Sequence, residues 1–362
     1  MSARHRRVFY VPNEAGDSLQ AGYRRAFQNL VSADLLDEVE TFSLERRLRA
    51  GGDPGQHRRD LLAAVRRFQP DLLVMQHLGA TALDDSAFAD LTVSGTPLLY
   101  HEADPYTRWL HPLPAAARAA ARAASVVFTV GSSTFAANFR RAGARRVEWT
   151  PHVFDPGRIE GGAGPRDRDH DVVMIANRSR ARVRPIPSTR ARVRFTELAQ
   201  RSLGERFALY GRDWDGPSAR GVLPYSRQSE ALRSAWLSAN WDHFAREERY
   251  FSDRLAISLA SGSISATTSH PGYDAVFPEQ ETGRFLLTAT SPAALVDRIE
   301  HYLRTTSIEQ RLDAEDAARR FAWAHLRQDD NLVMMLNAAG AGIDPAAARA
   351  AWDPATAPST AG

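Results

Sequence analysis

Residues 250–270 read YFSDRLAISLASGSISATTSH, and the fold follows from how this stretch is parsed. It opens as a polar turn and enters an amphipathic run in which Leu255 and Leu259 stand four residues apart with Ala256 and Ala260 beside them. That spacing predicts one face of a short helix. Ser252 is a suitable N-cap, Asp253 suits the positive end of the helix dipole, and Gly262 can adopt the left-handed conformation that stops a helix. Residues 263–268, SISATT, then read as a strand. The order is loop, helix, glycine stop, strand, which is the joint of a parallel α/β unit.

A helix start of this kind offers backbone N–H groups to an anion, and Arg254 adds a fork-shaped cation beside them. Alternatively, Arg254 pairs with Asp253, Glu247 or Glu248. The segment resembles the donor-binding segment of GT-B glycosyltransferases, particularly the group 1 (family 4-like) branch, whose helix ends in A-x-G; here that ending is Ala260-Ser261-Gly262. It is also similar to the donor segment of the α-fucosyltransferases. Group 1 enzymes usually carry two glutamates eight positions apart, and this chain has Arg249 and Ile257 at those places. The carboxylate that the resemblance assigns to ribose is therefore absent. Asp253, one helical turn before Ile257 on the same face, is the replacement expected.

The whole chain fits this frame. At 362 residues it accommodates two domains of ordinary size. It has no cysteine, which excludes disulfides, a thiolate nucleophile and a cysteine zinc site. It also has no lysine, all 46 basic side chains being arginine. A Walker-type phosphate loop and a Schiff base are thereby excluded. A net charge of +3 does not call for a nucleic-acid partner. The amino-terminal apolar run before Pro12 is too short for a signal-peptide core, and no run reaches the length of a membrane span, so a cytoplasmic protein is expected.

Along the first half, continuous apolar runs at Val8–Val11, Leu72–Met75, Leu98–Tyr100 and Val126–Val130 alternate with helical stretches. Continuous rather than alternating runs indicate strands covered on both faces, hence a doubly wound parallel sheet. Ligands of such sheets sit beyond the carboxyl ends of the strands. The residues there include Gly16 and Asp17 after the first strand, His77 after the next, and His101 and Asp104 after the third. His77, His101 and Asp104 are expected to converge on one edge. The segment from Val147 to Pro156 resembles the crossing segment of group 1 enzymes, and residues 157–170 read as a linker.

The second half repeats the grammar, with strands expected at Val172–Ala176, Phe207–Tyr210, Trp236–Trp241, Ile264–Thr268 and Arg284–Leu287. After its first strand comes a run containing Arg178, Arg180, Arg182, Arg184, Arg190, Arg192 and Arg194, with no acid among them. Part of such a run is solvated loop. In the enzymes it resembles, a basic residue here contacts the donor diphosphate, which makes Arg178 and one of Arg190 or Arg194 the candidates. Leu223-Pro224-Tyr225 falls where relatives place a loop against the nucleotide base, so Tyr225 either stacks on the base or packs on the surface.

The sequence thus implies an α/β chain of GT-B type, with two Rossmann-like doubly wound domains facing a cleft. Residues 1–156 form an acceptor domain, 171–320 a donor domain, 321–337 a helix returning to the first domain and 338–362 a mobile tail. The resemblance implies transfer of a sugar from a nucleoside-diphosphate sugar to a small-molecule or glycan hydroxyl, with retention, without a metal and without another cofactor. Arg178 and Arg254 would hold the diphosphate, with Arg194 behind them, Asp253 the ribose and Tyr225 the base. Gly16 would border the site. His101 or Asp104 would orient the acceptor or support the sugar cation, and an inverting enzyme would need Asp17, His77, His101 or Asp104 as base. The rival readings are a nucleotide-sugar epimerase or hydrolase and an inactive GT-B-like scaffold.

Overall fold

The computed structural model describes residues 6–14, 20–79, 81–108, 111–159, 167–178 and 186–352. The chain divides into two compact units, residues 1–150 with 328–362, and residues 151–327. In chain order the first holds β1 (Arg7–Val11), α1 (Ala21–Ser32), β2 (Glu38–Thr41), α2 (Leu44–Arg49), α3 (Pro54–Phe68), β3 (Leu72–Gln76), α4 (Asp85–Leu91), β4 (Leu98–Glu102), α5 (Ala115–Ala123), β5 (Val126–Thr129), α6 (Thr134–Arg141) and β6 (Val147–Trp149). The second holds β7 (His170–Ile175), α7 (Thr189–Leu203), β8 (Phe207–Tyr210), β9 (Ala219–Gly221), α8 (Gln228–Arg233), β10 (Ala235–Ala239), α9 (Asp253–Ala260), β11 (Ile264–Thr268), α10 (Glu279–Thr282), β12 (Leu286–Ala289), α11 (Pro292–Thr305) and α12 (Ile308–His325). Two closing helices, α13 (Gln328–Ala338) and α14 (Pro345–Trp352), return to the first unit.

Both sheets are six-stranded, in the orders β2-β1-β3-β4-β5-β6 and β12-β11-β10-β7-β8-β9. All strand pairs are parallel. The strands with continuous apolar runs occupy the middle because both their faces are covered. Phe9, Leu73 and Tyr100 pack into one layer of the first unit, and Tyr10, Val74 and Leu99 into the other. β2 and β9, which the apolar pattern misses, are edge strands of sequence EVET and ARG with half-exposed side chains. Chain order reverses between β1 and β3 in one sheet and between β7 and β10 in the other, and those switch points are where ligands of such sheets bind.

The domain boundaries expected from sequence are displaced. The first crossing falls at Thr150/Pro151, and the return at Arg327/Gln328. Phe321, expected in the returning helix, lies inside the continuous α12 and packs on Phe277 and Phe285 of the second unit. The expected mobile tail is corrected over residues 338–352. Asn337 bonds both backbone groups of Ile343 at 2.7 Å, and α14 follows, with Ala341, Ile343 and Ala348 buried against α1 and α13. Small side chains let these helices approach closely without a periodic stripe of large apolar residues, which is the signal the sequence lacks. No described helix is long and apolar enough to cross a membrane.

Removing residues 344–362 should therefore destabilise the protein by about 2 kcal/mol or more, since it uncovers buried apolar surface. Urea unfolding of the truncated and full chains measures this; an unchanged midpoint would mean that α14 does not pack.

Candidate donor and acceptor sites

In the second unit, α9 forms as its sequence dictates. Ser252 caps it in extended conformation. At its end Gly262 has φ +80°, and Gly262 N and Ser263 N donate to Leu259 O and Ser258 O at 3.0 and 2.9 Å. This is a Schellman stop. Its amino end is less open than expected. Arg254 N donates to Asp253 Oδ1 at 3.0 Å and Leu255 N to Ser252 O at 2.9 Å, so residues of the cap itself fill the first donor positions. Asp253, expected at a ribose, also accepts from Ser252 Oγ at 3.0 Å. The packing around Asp253 opposes its charge, but Arg254, His152 and the Ser252 bond hold its carboxyl below the usual range.

The charge at this corner comes from two guanidinium groups. Among the residues of α7, the sequence reading favoured Arg190 or Arg194, yet both face solvent, Arg194 lying 3.8 Å from Glu197. The inward arginine is Arg192, which shares the helix stripe of Phe195, Thr196, Ala199 and Leu203. That i, i+3, i+4, i+7 spacing was the available signal. Arg192 Nε donates to Trp241 O at 2.7 Å. Burial, and then the neighbouring Arg254 charge, draw Arg192 down to about 10, with Asp242 acting in the other direction. Arg178 is placed differently, its guanidinium 3.3 Å from Asp215 and over the Trp214 ring at 5.7 Å.

Asp242, absent from the sequence candidates, is the counter-charge. It is buried, with His270 Nε2 at 3.1 Å from Oδ2 and the Asn240 amide donating to Oδ1 at 2.5 Å. Burial opposes its charge, but His270, Arg192 and Arg254 hold its carboxyl below the usual range. His243 is drawn down to about 3 by burial and Arg192, and as a neutral ring it donates Nδ1–H to Pro187 O at 3.1 Å. Beside these groups a solvent-open pocket runs between the sheet and helices α8 and α9, lined by Ile175, Gln228, Asn240, Arg254, Ile257 and Thr267. Tyr225 stands 47% exposed, with the Arg158 guanidinium 4.6 Å from its ring.

In the first unit the structure brings together only part of the expected edge. His101 alternates with Tyr100 and Glu102 along β4 and so points to the opposite layer. It is 6% exposed there, near Tyr23, with the Gln76 amide 3.1 Å from Nδ1. His77 has φ +43°, a left-handed conformation rare outside glycine. Its Nδ1 lies 2.9 Å from Glu102 Oε1 and 3.5 Å from Asp104 Oδ2. Glu102, which the sequence reading overlooked, is fully buried and also accepts from Tyr100 Oη at 2.6 Å and Asp104 N at 3.1 Å. Burial works against a charge on His77, but the bond and charge of Glu102, followed by Asp104 and Glu45, lift it to about 9. Ligand atoms of these three side chains lie within 4.8 Å of one another, and the doubly protonated His77 ring places a positive charge among them. Asp104 is 58% exposed at the side chain. Gly16 and Asp17, and the arginines at 180, 182 and 184, lie outside the described residues.

Residues 175–331 match the family model of glycosyl transferase-like domains. The fold is similar to that of HepE from Anabaena, solved in complex with UDP-glucose, with a TM-score of 0.58 at 14% identity over 92% of this chain and 98% of that one. It is similar to sucrose-phosphate synthase from Thermosynechococcus elongatus, at TM-score 0.58, 12% identity and the same coverage. BGT of phage T4, in complex with its UDP-glucose substrate, aligns at TM-score 0.56 and 12% identity over 93% of this chain and 99% of that one. The chain has the GT-B fold, and residues 175–331 within it are similar to glycosyl transferase-like domains. No curated protein sequence matches the chain.

A group whose folded pKa is raised stabilises the fold below its unfolded value, near 6.5, and that stabilisation is lost as pH rises through the folded value, here about 9. The His77 imidazole should therefore titrate near 9 by NMR, and Glu102→Gln should lower it. The stability gap between the two proteins should close above that pH; an unchanged titration would remove Glu102 as the cause.

Proposed function

We propose that this GT-B glycosyltransferase moves a sugar from a nucleoside-diphosphate sugar to an acceptor hydroxyl, with the donor held by the second unit. The single observation that carries the reading is the pairing of Arg192 and Arg254 at the β7/β10 switch point. Burial, and then the like charge of Arg254, lower Arg192 in the free protein, and Asp242 acts in the other direction. An anion relieves that repulsion, and a leaving diphosphate gains negative charge as the glycosidic bond breaks, which is where fixed cations stabilise most. Each charge-assisted bond contributes about 1.5–3 kcal/mol. Arg178, placed by Trp214 and Asp215, is a third cation on the neighbouring strand end.

Because arginines supply this charge, a reaction without a metal is the finer reading, and retention follows from the group 1 resemblance. On the first unit, His77 is an imidazolium at neutral pH and so a hydrogen-bond donor rather than a base. Asp104 is then the exposed carboxylate that orients the acceptor hydroxyl or supports the sugar cation. The acceptor is a small molecule or a glycan, and the location cytoplasmic. HepE and BGT, as UDP-glucose complexes, make a uridine nucleotide the first donor to try.

Thermal unfolding against UDP, GDP, dTDP, ADP and pyrophosphate tests the donor reading. At a hundredfold its dissociation constant one nucleotide should stabilise the protein by about 2.7 kcal/mol. Arg192→Ala and Arg254→Ala should each abolish the gain. Transfer by the active enzyme should persist in EDTA, and NMR of the product should show the donor's anomeric configuration. Absence of any nucleotide effect, or equal effects of all polyanions, would contradict the donor site.

A further inference from the structure

Two residues that line the donor pocket each carry a buried polar atom with no hydrogen-bond partner among the described residues, Asn240 Oδ1 and Arg254 Nε. Burying such atoms unpaired costs about 1–3 kcal/mol each, so a retained pair of this kind indicates a partner that arrives with a ligand. The orientation of the Asn240 amide is fixed rather than arbitrary. Asp242 is an acceptor only while ionised, and its Oδ1 at 2.5 Å takes the Nδ2 hydrogen. Asp242 is itself held by His270 at 3.1 Å and receives the Thr267 hydroxyl at 3.4 Å, in surroundings with almost no solvent contact. The carbonyl end of Asn240 must then point the other way. One orphan is an acceptor and the other a donor. A ligand hydroxyl satisfies both, since its O–H donates while its lone pairs accept.

We infer that Asn240, oriented by Asp242, binds a hydroxyl of the donor, the ribose or the transferred sugar supplying it. This assignment rests on the donor reading above and deepens it. It also fills a gap in the site. Ile257, an apolar residue, lines the pocket where group 1 enzymes carry a carboxylate, and Asp253 is engaged in capping α9. Neutral Asn240 keeps the acceptor without adding a second negative charge beside Asp242, which would weaken the hold of the two arginines on a diphosphate.

Isothermal titration tests the inference with the nucleoside diphosphate of the panel that binds most tightly, its 2′-deoxy and 3′-deoxy analogues, its glucose conjugate and pyrophosphate. With the wild-type protein, loss of the bound hydroxyl should weaken binding about five- to tenfold, the worth of one buried hydrogen bond. Asn240→Ala should show the same loss with the parent ligand, no further loss with the deoxy analogue, and unchanged pyrophosphate binding. A deoxy effect on the nucleotide places the hydroxyl on ribose. If only the glucose conjugate distinguishes the variant from wild type, it belongs to the sugar. Should Asn240→Ala disturb folding, the ligand deletions on the wild-type protein, extended to deoxyglucose conjugates of the same nucleotide, decide alone. Equal affinities of wild type and Asn240→Ala for every ligand, or of wild type for each deoxynucleotide and deoxyglucose conjugate and its parent, overturn the inference while leaving the donor site intact. Failure of every nucleotide to bind wild type overturns the donor reading itself, and this inference with it.

Discussion

Two guanidinium groups, Arg192 buried and Arg254 half-buried, share one corner of the second unit with the buried Asp242 carboxylate, and much of the local structure there exists to make that arrangement tolerable. Like charges at close range in a low dielectric repel strongly. Arg192 is kept in place by the apolar stripe of α7 and by the Trp241 carbonyl. Arg254 is fixed by the start of α9, and Asp242 by His270 and Asn240. The residual positive charge is thus carried on short, well-anchored elements. Such preorganisation is what a diphosphate leaving group requires, because nothing has to reorganise when its charge develops.

The first unit solves a different problem with the same topology. Its buried anion, Glu102, cannot stand alone in the interior, and three donors meet it from the strand itself, from the loop beyond and from His77. The consequence is a histidine held in an unusual backbone conformation and kept charged. Alternation along β4 sends Tyr100 and Glu102 to one layer and His101 to the other, so one residue of register decides which histidine meets the carboxylates at the strand-end edge.

Much of this was legible in the sequence. Continuous apolar strands, their spacing and the cap and stop of α9 follow from local chemistry, and the structure has them. What the sequence did not disclose depended on direction. Arg190, Arg192 and Arg194 look alike as a string, and only the helix stripe selects Arg192. His77 and Asp104 follow parallel strands, whereas His101 lies within β4, where the pleat turns it away from the others. Asp242 and Glu102 are buried acids whose histidine partners are 28 and 25 residues away, and no local pattern marks such pairs. The terminal helix was hidden because alanine packs by smallness rather than by bulk.

The central claim is that the Arg192–Arg254 corner receives the donor diphosphate. A crystal structure of the protein with a bound nucleoside diphosphate tests it most directly. The account predicts phosphate oxygens within hydrogen-bond distance of both guanidinium groups at the amino end of α9. Phosphates seated on the solvent face of α7, against Arg190 or Arg194, or on the first unit, would contradict it.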